Sequence, residues 1–184
     1  MGVSNTVNNS IKSFFIKLFL LAFSWKIIQM FVLTPIRIPD MYLTNMITIG
    51  TVHLTNFLHF LNFPIGWMMN PNNSATANSL TKEGISFFYI DDTCNGLDIM
   101  MIYIGILALI PHKSIQKKLL FILIGLIVLI IANIIRCTAL LWIYLYHHTS
   151  FDFNHHYVFT FIMYGIIISG WLLFLKKDTE HEIK

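Results

Sequence analysis

The sequence predicts an all-α integral membrane protein: about four transmembrane helices, an interfacial amphipathic helix and a short β-like segment ahead of a cysteine. Three observations predict it. Hydrophobic residues make up 56% of the 184 positions and charged ones only 11%, and the mean hydropathy is +0.69, which is the composition of a chain that lives in lipid. Four apolar runs, at about 14–34, 95–111, 119–148 and 156–175, approach or exceed the roughly 20 residues needed to cross a bilayer. The basic residues stand at the ends of those runs, not in a stripe that could neutralise phosphates, and a net charge of +3 is small. That distribution argues against nucleic-acid binding. The whole chain, 1–184, reads as one polytopic membrane domain.

The first run, Phe14 to Pro35, is too long for a signal-peptide core and lacks a small-residue cleavage site, so it reads as a retained span. Segment 43–62 differs in kind. Asn45, Thr48, Thr51, Thr55, His59 and Asn62 recur every three or four residues opposite Leu43, Ile47, Leu54, Leu58 and Leu61, the pattern of a helix lying in the interface plane. A polar-striped spanning helix is the alternative. Residues 70–82 are rich in Asn, Ser and Thr and predict a polar loop, and the aromatic stretch 84–90 predicts a strand that delivers Asp91, Asp92 and Cys94 to the membrane surface. The run 119–148 exceeds one crossing, so it either tilts or breaks near Asn133 to Arg136.

Lys12, Lys17, Lys113, Lys117, Lys118, Lys176, Lys177 and Lys184 cluster on one set of ends, against Arg37 and Lys82 on the other. The positive-inside rule puts the first set in the cytoplasm. Segment 36–94, the surroundings of Arg136 and residues 149–156 then share the outer face.

Cys94, Arg136 and His156 are the residues a passive anchor does not call for. Cys94 opens Cys94-Asn95-Gly96 at the entry of a span, where glycine permits close backbone approach and the first helical turn offers unpaired N–H groups that favour a thiolate. The other reading of a lone cysteine is inert packing, and Cys137 reads that way. Arg136 lies among apolar residues, where a guanidinium costs roughly 2.5 to 3.5 kcal/mol on insertion scales. Asn133 is three positions earlier, on the same helix face. A fixed fork of donors suits an oxyanion, and the competing role is an ion pair with Asp98, one turn beyond Cys94. An imidazole is the usual base near neutral pH. His156 is the favoured candidate and His155 its alternative, whereas His147 and His148 read as interfacial caps. Asp91 and Asp92 read as a solvated turn. Adjacent histidines diverge on a helix and chelate poorly, so no metal or cofactor is expected.

In this order, Cys94-Asn95-Gly96, Asn133-x-x-Arg136 and a histidine opening the last span resemble the exosortase/archaeosortase family of membrane transpeptidases, most closely the short flavobacterial exosortase F type. The likeness runs from about residue 30 to 175. It departs where larger relatives carry Ser at the position of Asn95 and Gly at that of Thr160. The resemblance implies a Cys, Arg and His triad at the outer face of the bacterial cytoplasmic membrane. Its substrates would be secreted proteins with C-terminal sorting tails, cut by Cys94 through an acyl-enzyme that an amine, hydroxyl or water resolves. Arg136 would hold the oxyanion, and His156, aligned through the aromatics Phe161 and Tyr164, would move the proton. The reading from another class is a non-catalytic membrane subunit or small transporter component, with Arg136 and Asp98 as a structural pair.

Overall fold

The computed structural model describes residues 2–59, 61, 63–69, 77–110 and 114–179. Five helices and one small sheet organise them. Helix α1 (Gly2–Ile28) continues through a π turn (Gln29–Leu33), and α2 covers Asp40–Leu58. Strands β1 (Gly66–Met68), β2 (Ala77–Lys82) and β3 (Ile85–Asp91) pair antiparallel in that order. Helices α3 (Leu97–Leu109), α4 (Ile115–Tyr146) and α5 (Phe159–Thr179) complete the chain, α5 being reached through short turns and a π segment at Asn154–Val158.

The chain is an all-α membrane protein with a small sheet. Among the described residues, three helices are long and apolar enough to cross a bilayer, over Phe15–Leu33, Ile115–Tyr146 and His148–Lys176. The expected span at 95–111 is a shorter apolar helix, Leu97–Leu109, because Cys94 to Gly96 are spent on the turn that introduces it. The polar loop expected at 70–82 falls partly outside the described residues, at 70–76. Its remainder is strand β2, whose Asn78, Ser79, Leu80 and Thr81 are all buried. Pairing on both edges overrides the low strand propensity of that composition. Lys113, Lys184 and Asn62, used above for orientation and amphipathicity, also lie outside the described residues.

Two apolar cores meet end to end along α4. One gathers Met100, Tyr103 and Leu107 of α3, Leu129 of α4, and Met163, Ile167 and Phe174 of α5. The other gathers Ile47 and Val52 of α2, Leu80, Phe88 and Ile90 of the sheet, and Cys137, Leu140 and Leu141 of α4. Ile130 packs against both, so the seam falls at the level of Asn133 and Arg136. Helix α4 runs unbroken through it. From Ile115 to Arg136 it rises about 32 Å, close to the ~30 Å of a hydrocarbon layer. Arg136 therefore reaches one membrane boundary when the Lys117 and Lys118 end stands at the other.

The amphipathic helix α2 turns its polar stripe inward. Thr44, Thr48, Thr51 and Thr55 are buried, with Thr48 donating to the Thr44 carbonyl at 2.7 Å and Thr51 to the Ile47 carbonyl at 2.8 Å. Asn78 of β2 donates to Asn45 Oδ1 at 2.7 Å and to Thr48 at 3.3 Å. The outward stripe is Tyr42, Met46, Ile49 and Phe57, all exposed. Water does not face the threonines; the sheet and α4 do.

Candidate active site

Strand β3 ends in a single 3-10 turn, Asp92–Cys94, whose start is capped by the Asp91 carboxylate accepting from Thr93 N–H at 2.9 Å. Gly96 follows at φ +84° and opens α3. The sign of that angle selects glycine, and so does the space: a Cβ there would sit 3.3 Å from Asn133 Nδ2. The turn is thus pressed against α4 where the asparagine stands.

A buried network fixes this turn from the α2 side. Asn95, 1% exposed, donates from Nδ2 to Asp40 Oδ1 at 2.8 Å, while its Oδ1 accepts from Leu97 N–H at 2.9 Å. Asp92, two residues before the cysteine, accepts from Arg37 Nε at 3.0 Å and from Thr44 Oγ1 at 2.6 Å. It is half of a partly buried ion pair, not a solvated turn residue. Burial pushes the Asp40 carboxyl above its ordinary value, the Asn95 hydrogen bond pulls it back, and the neighbouring Asp92 charge adds to the rise.

From the α4 side, the fully buried Asn133 donates from Nδ2 to the Cys94 carbonyl at 2.9 Å and accepts from Arg136 Nη1 at 3.4 Å. One amide therefore ties the guanidinium to the turn that carries the thiol. Arg136 Nε is buried with no hydrogen-bond partner. Asp98 does not pair with Arg136. It accepts from Lys26 Nζ at 2.7 Å and from Trp25 Nε1 at 3.0 Å, which ties α1 to α3. Arg136, Asn95, Gly96 and Asp98 line a polar pocket of about 330 Å³ together with Arg37, Asp40 and Lys26.

The imidazole that reaches Cys94 is His155: its Nε2 lies 3.4 Å from Sγ. His156 is exposed, its ring edge-on to His155 at 4.8 Å between centroids. The π segment Asn154–Val158 explains the difference from the phase carried back from Phe161 and Tyr164. A π turn closes on i to i+5 bonds and inserts a residue, so helical phase slips across it. Phe151 lies flat on the His155 ring, 5.7 Å away at 5°, and is itself wedged by Phe88 and Tyr144. Sequence reasoning passed over Phe151, Asp40 and Arg37. The available signal for Phe151 was its spacing: an aromatic four residues before His155 shares its helix face.

Cys137 is buried in the core that α4 shares with α2 and the sheet. Among the described residues, no group of three or more His, Cys, Asp or Glu side chains stands where it could hold a metal ion.

Among known protein families, the description Transmembrane exosortase (Exosortase_EpsH) matches residues 7–176. Comparison with curated proteins and with solved structures gives no match. The family match covers nearly the whole chain, both cores and every residue around Cys94, and so this protein belongs to the transmembrane exosortase family.

Proposed function

We propose that this protein is a membrane-embedded cysteine transpeptidase or peptidase that cleaves C-terminal sorting tails from secreted proteins, working at the outer face of the cytoplasmic membrane. The observation that carries the reading is the thiol and imidazole at 3.4 Å, brought together from positions distant in sequence and backed by a half-buried arginine whose Nε has no hydrogen-bond partner.

Each group has a chemical role. His155 takes the Cys94 proton as the sulfur attacks the scissile carbonyl carbon, forming a C–S bond and an oxyanion. Arg136 supplies a fixed cation for that oxyanion, and Asn133 keeps its guanidinium and the Cys94 turn in register. Collapse of the tetrahedral intermediate breaks the C–N bond, and the imidazolium returns its proton to the leaving amine. An amine, hydroxyl or water then attacks the thioester with His155 as base, restoring the thiol. Whether product is ligated to an acceptor or released depends on which nucleophile reaches the thioester first.

The experiment follows a tail-bearing secreted protein by size in cells carrying Cys94→Ala or Cys94→Ser. The reading expects only uncut precursor in both. Mature product at the wild-type level in both would assign the protein to a non-catalytic role.

A further inference from the structure

Charged side chains are rare at membrane depth unless a partner or water meets them, and the Lys26–Asp98 pair is an outlying case. Lys26 lies within the span Phe15–Leu33, seven residues or about 10 Å along the helix before Leu33, and Asp98 stands in the first turn of α3. Both side chains remain substantially exposed, at 61% and 45%. Two cavities meet at this pair. One is the polar pocket lined by Thr93 and Asn95, the residues on either side of Cys94, together with Lys26 and Asp98. The other is an apolar groove of about 470 Å³ between α1 and α3, walled by Leu20, Ala22, Ser24, Met101 and Ile102, and it includes the same two charged residues. A third cavity, of about 420 Å³ between α4 and α5, is also apolar but shares no residue with the polar pocket. The groove thus adjoins the polar pocket at Lys26 and Asp98, and within it Gly105 packs so tightly on α1 that a Cβ would meet Leu21 at 2.5 Å.

We infer that the α1–α3 groove is the lateral entrance through which a membrane-inserted polypeptide reaches Cys94, with the apolar face of its helix in the groove and the adjoining polar stretch in the pocket. The occupant follows from the linings. A wholly soluble peptide has no use for the aliphatic walls, and a lipid acyl chain has none for an exposed ion pair at its end. A chain that changes from apolar to polar over one helical turn matches both, and the backbone groups left unpaired where its helix ends give the Lys26 and Asp98 charges partners that hydrocarbon lacks. This entrance rests on the reading of Cys94 as the reactive residue, but its test needs only an accessible thiol.

The protein in phosphatidylcholine vesicles is treated with three maleimides: one on a short polar linker at the end of a Leu/Ala helix of about 20 residues, one on an octadecyl chain, and one small and charged. Alkylation of Cys94 is followed by intact mass. Ser24→Trp fills the groove and is expected to slow the peptide-borne reagent at least tenfold while the charged reagent reacts within about twofold of wild type. Met101→Phe, a milder filling, is expected to slow the same reagent in the same sense. Gly165→Trp, in the separate α4–α5 cavity where a Cβ has open space, is expected to change neither rate. Peptide-borne alkylation at the wild-type rate in both groove variants overturns the entrance. Slowing of the octadecyl reagent alone overturns it too, by assigning the groove to lipid. A catalytically silent Cys94 would leave these rates intact, so the two readings fail separately.

Discussion

Replacing His155 by Ala removes the imidazole 3.4 Å from the Cys94 sulfur, and general-base assistance of this kind contributes about 10²- to 10⁴-fold. Tail cleavage by His155→Ala should fall by that factor, measured as initial rate on a tail-bearing substrate. His156→Ala should stay within about twofold, because an exposed ring away from the thiol falls among ordinary surface substitutions; equal losses in the two variants would contradict the assignment. Arg136→Lys keeps the charge but loses the planar fork. It should lower kcat by about 10²- to 10³-fold with KM little changed, the signature of a donor used in the transition state. At this scale the sequence was legible where chemistry is rare in lipid: a thiol, a guanidinium and an imidazole stand out from isoleucines. The choice between neighbouring histidines was not, since it turns on a π segment that neither composition nor spacing reveals. Nor was the partner of Asp98, because Lys26 lies 72 positions away in sequence.

Helix α2 shows why an element can be found from its pattern and still be misplaced. A threonine every three or four residues marks a two-faced helix, yet a hydroxyl that bonds the carbonyl one turn back is satisfied without water. The polar face can then be packed against the sheet, and Asn95 exploits it by bonding Asp40 at the helix start. The raised Asp40 carboxyl has a consequence for the element it anchors. A carboxyl whose folded pKa lies above its unfolded one supports folding fully below the ordinary value of 3.8, and that support is lost as pH rises through the folded value. Asp40→Asn keeps an acceptor for Asn95 and cannot ionise. Its melting temperature in micelles should fall less than that of the wild type as pH is raised from below 3.8 to neutral; parallel curves would show that this carboxyl is not ionising under strain. Strand β2 was illegible for a related reason, its Asn, Ser and Thr being held by partners on both sides, while the aromatic β3 declared itself.

For the whole molecule, the two cores divide the work. The one built from α3, α4 and α5 holds two of the helices that are long and apolar enough to cross the membrane, α4 and α5, and the one built from α2, the sheet and the end of α4 supports the turn that carries Cys94 at their seam. Spans were legible from hydropathy because length and apolarity are what a bilayer selects. The seam was not, because α4 passes through it without a break and its sequence stays apolar on both sides. The orientation drawn from the lysines makes a direct prediction: a membrane-impermeant maleimide added outside intact cells labels Cys94, and Cys137, buried in the core, stays unlabelled. Labelling only after the membrane is permeabilised would turn the molecule over.

The proposed role of Cys94 requires that its sulfur become covalently bound to the substrate during turnover. Intact mass of the rapidly quenched wild-type protein, mixed with a tail-bearing substrate, should reveal the substrate's N-terminal portion on Cys94 as a thioester that hydroxylamine removes. Cleaved substrate accumulating at the full rate with Cys94 unmodified at every time point would contradict it.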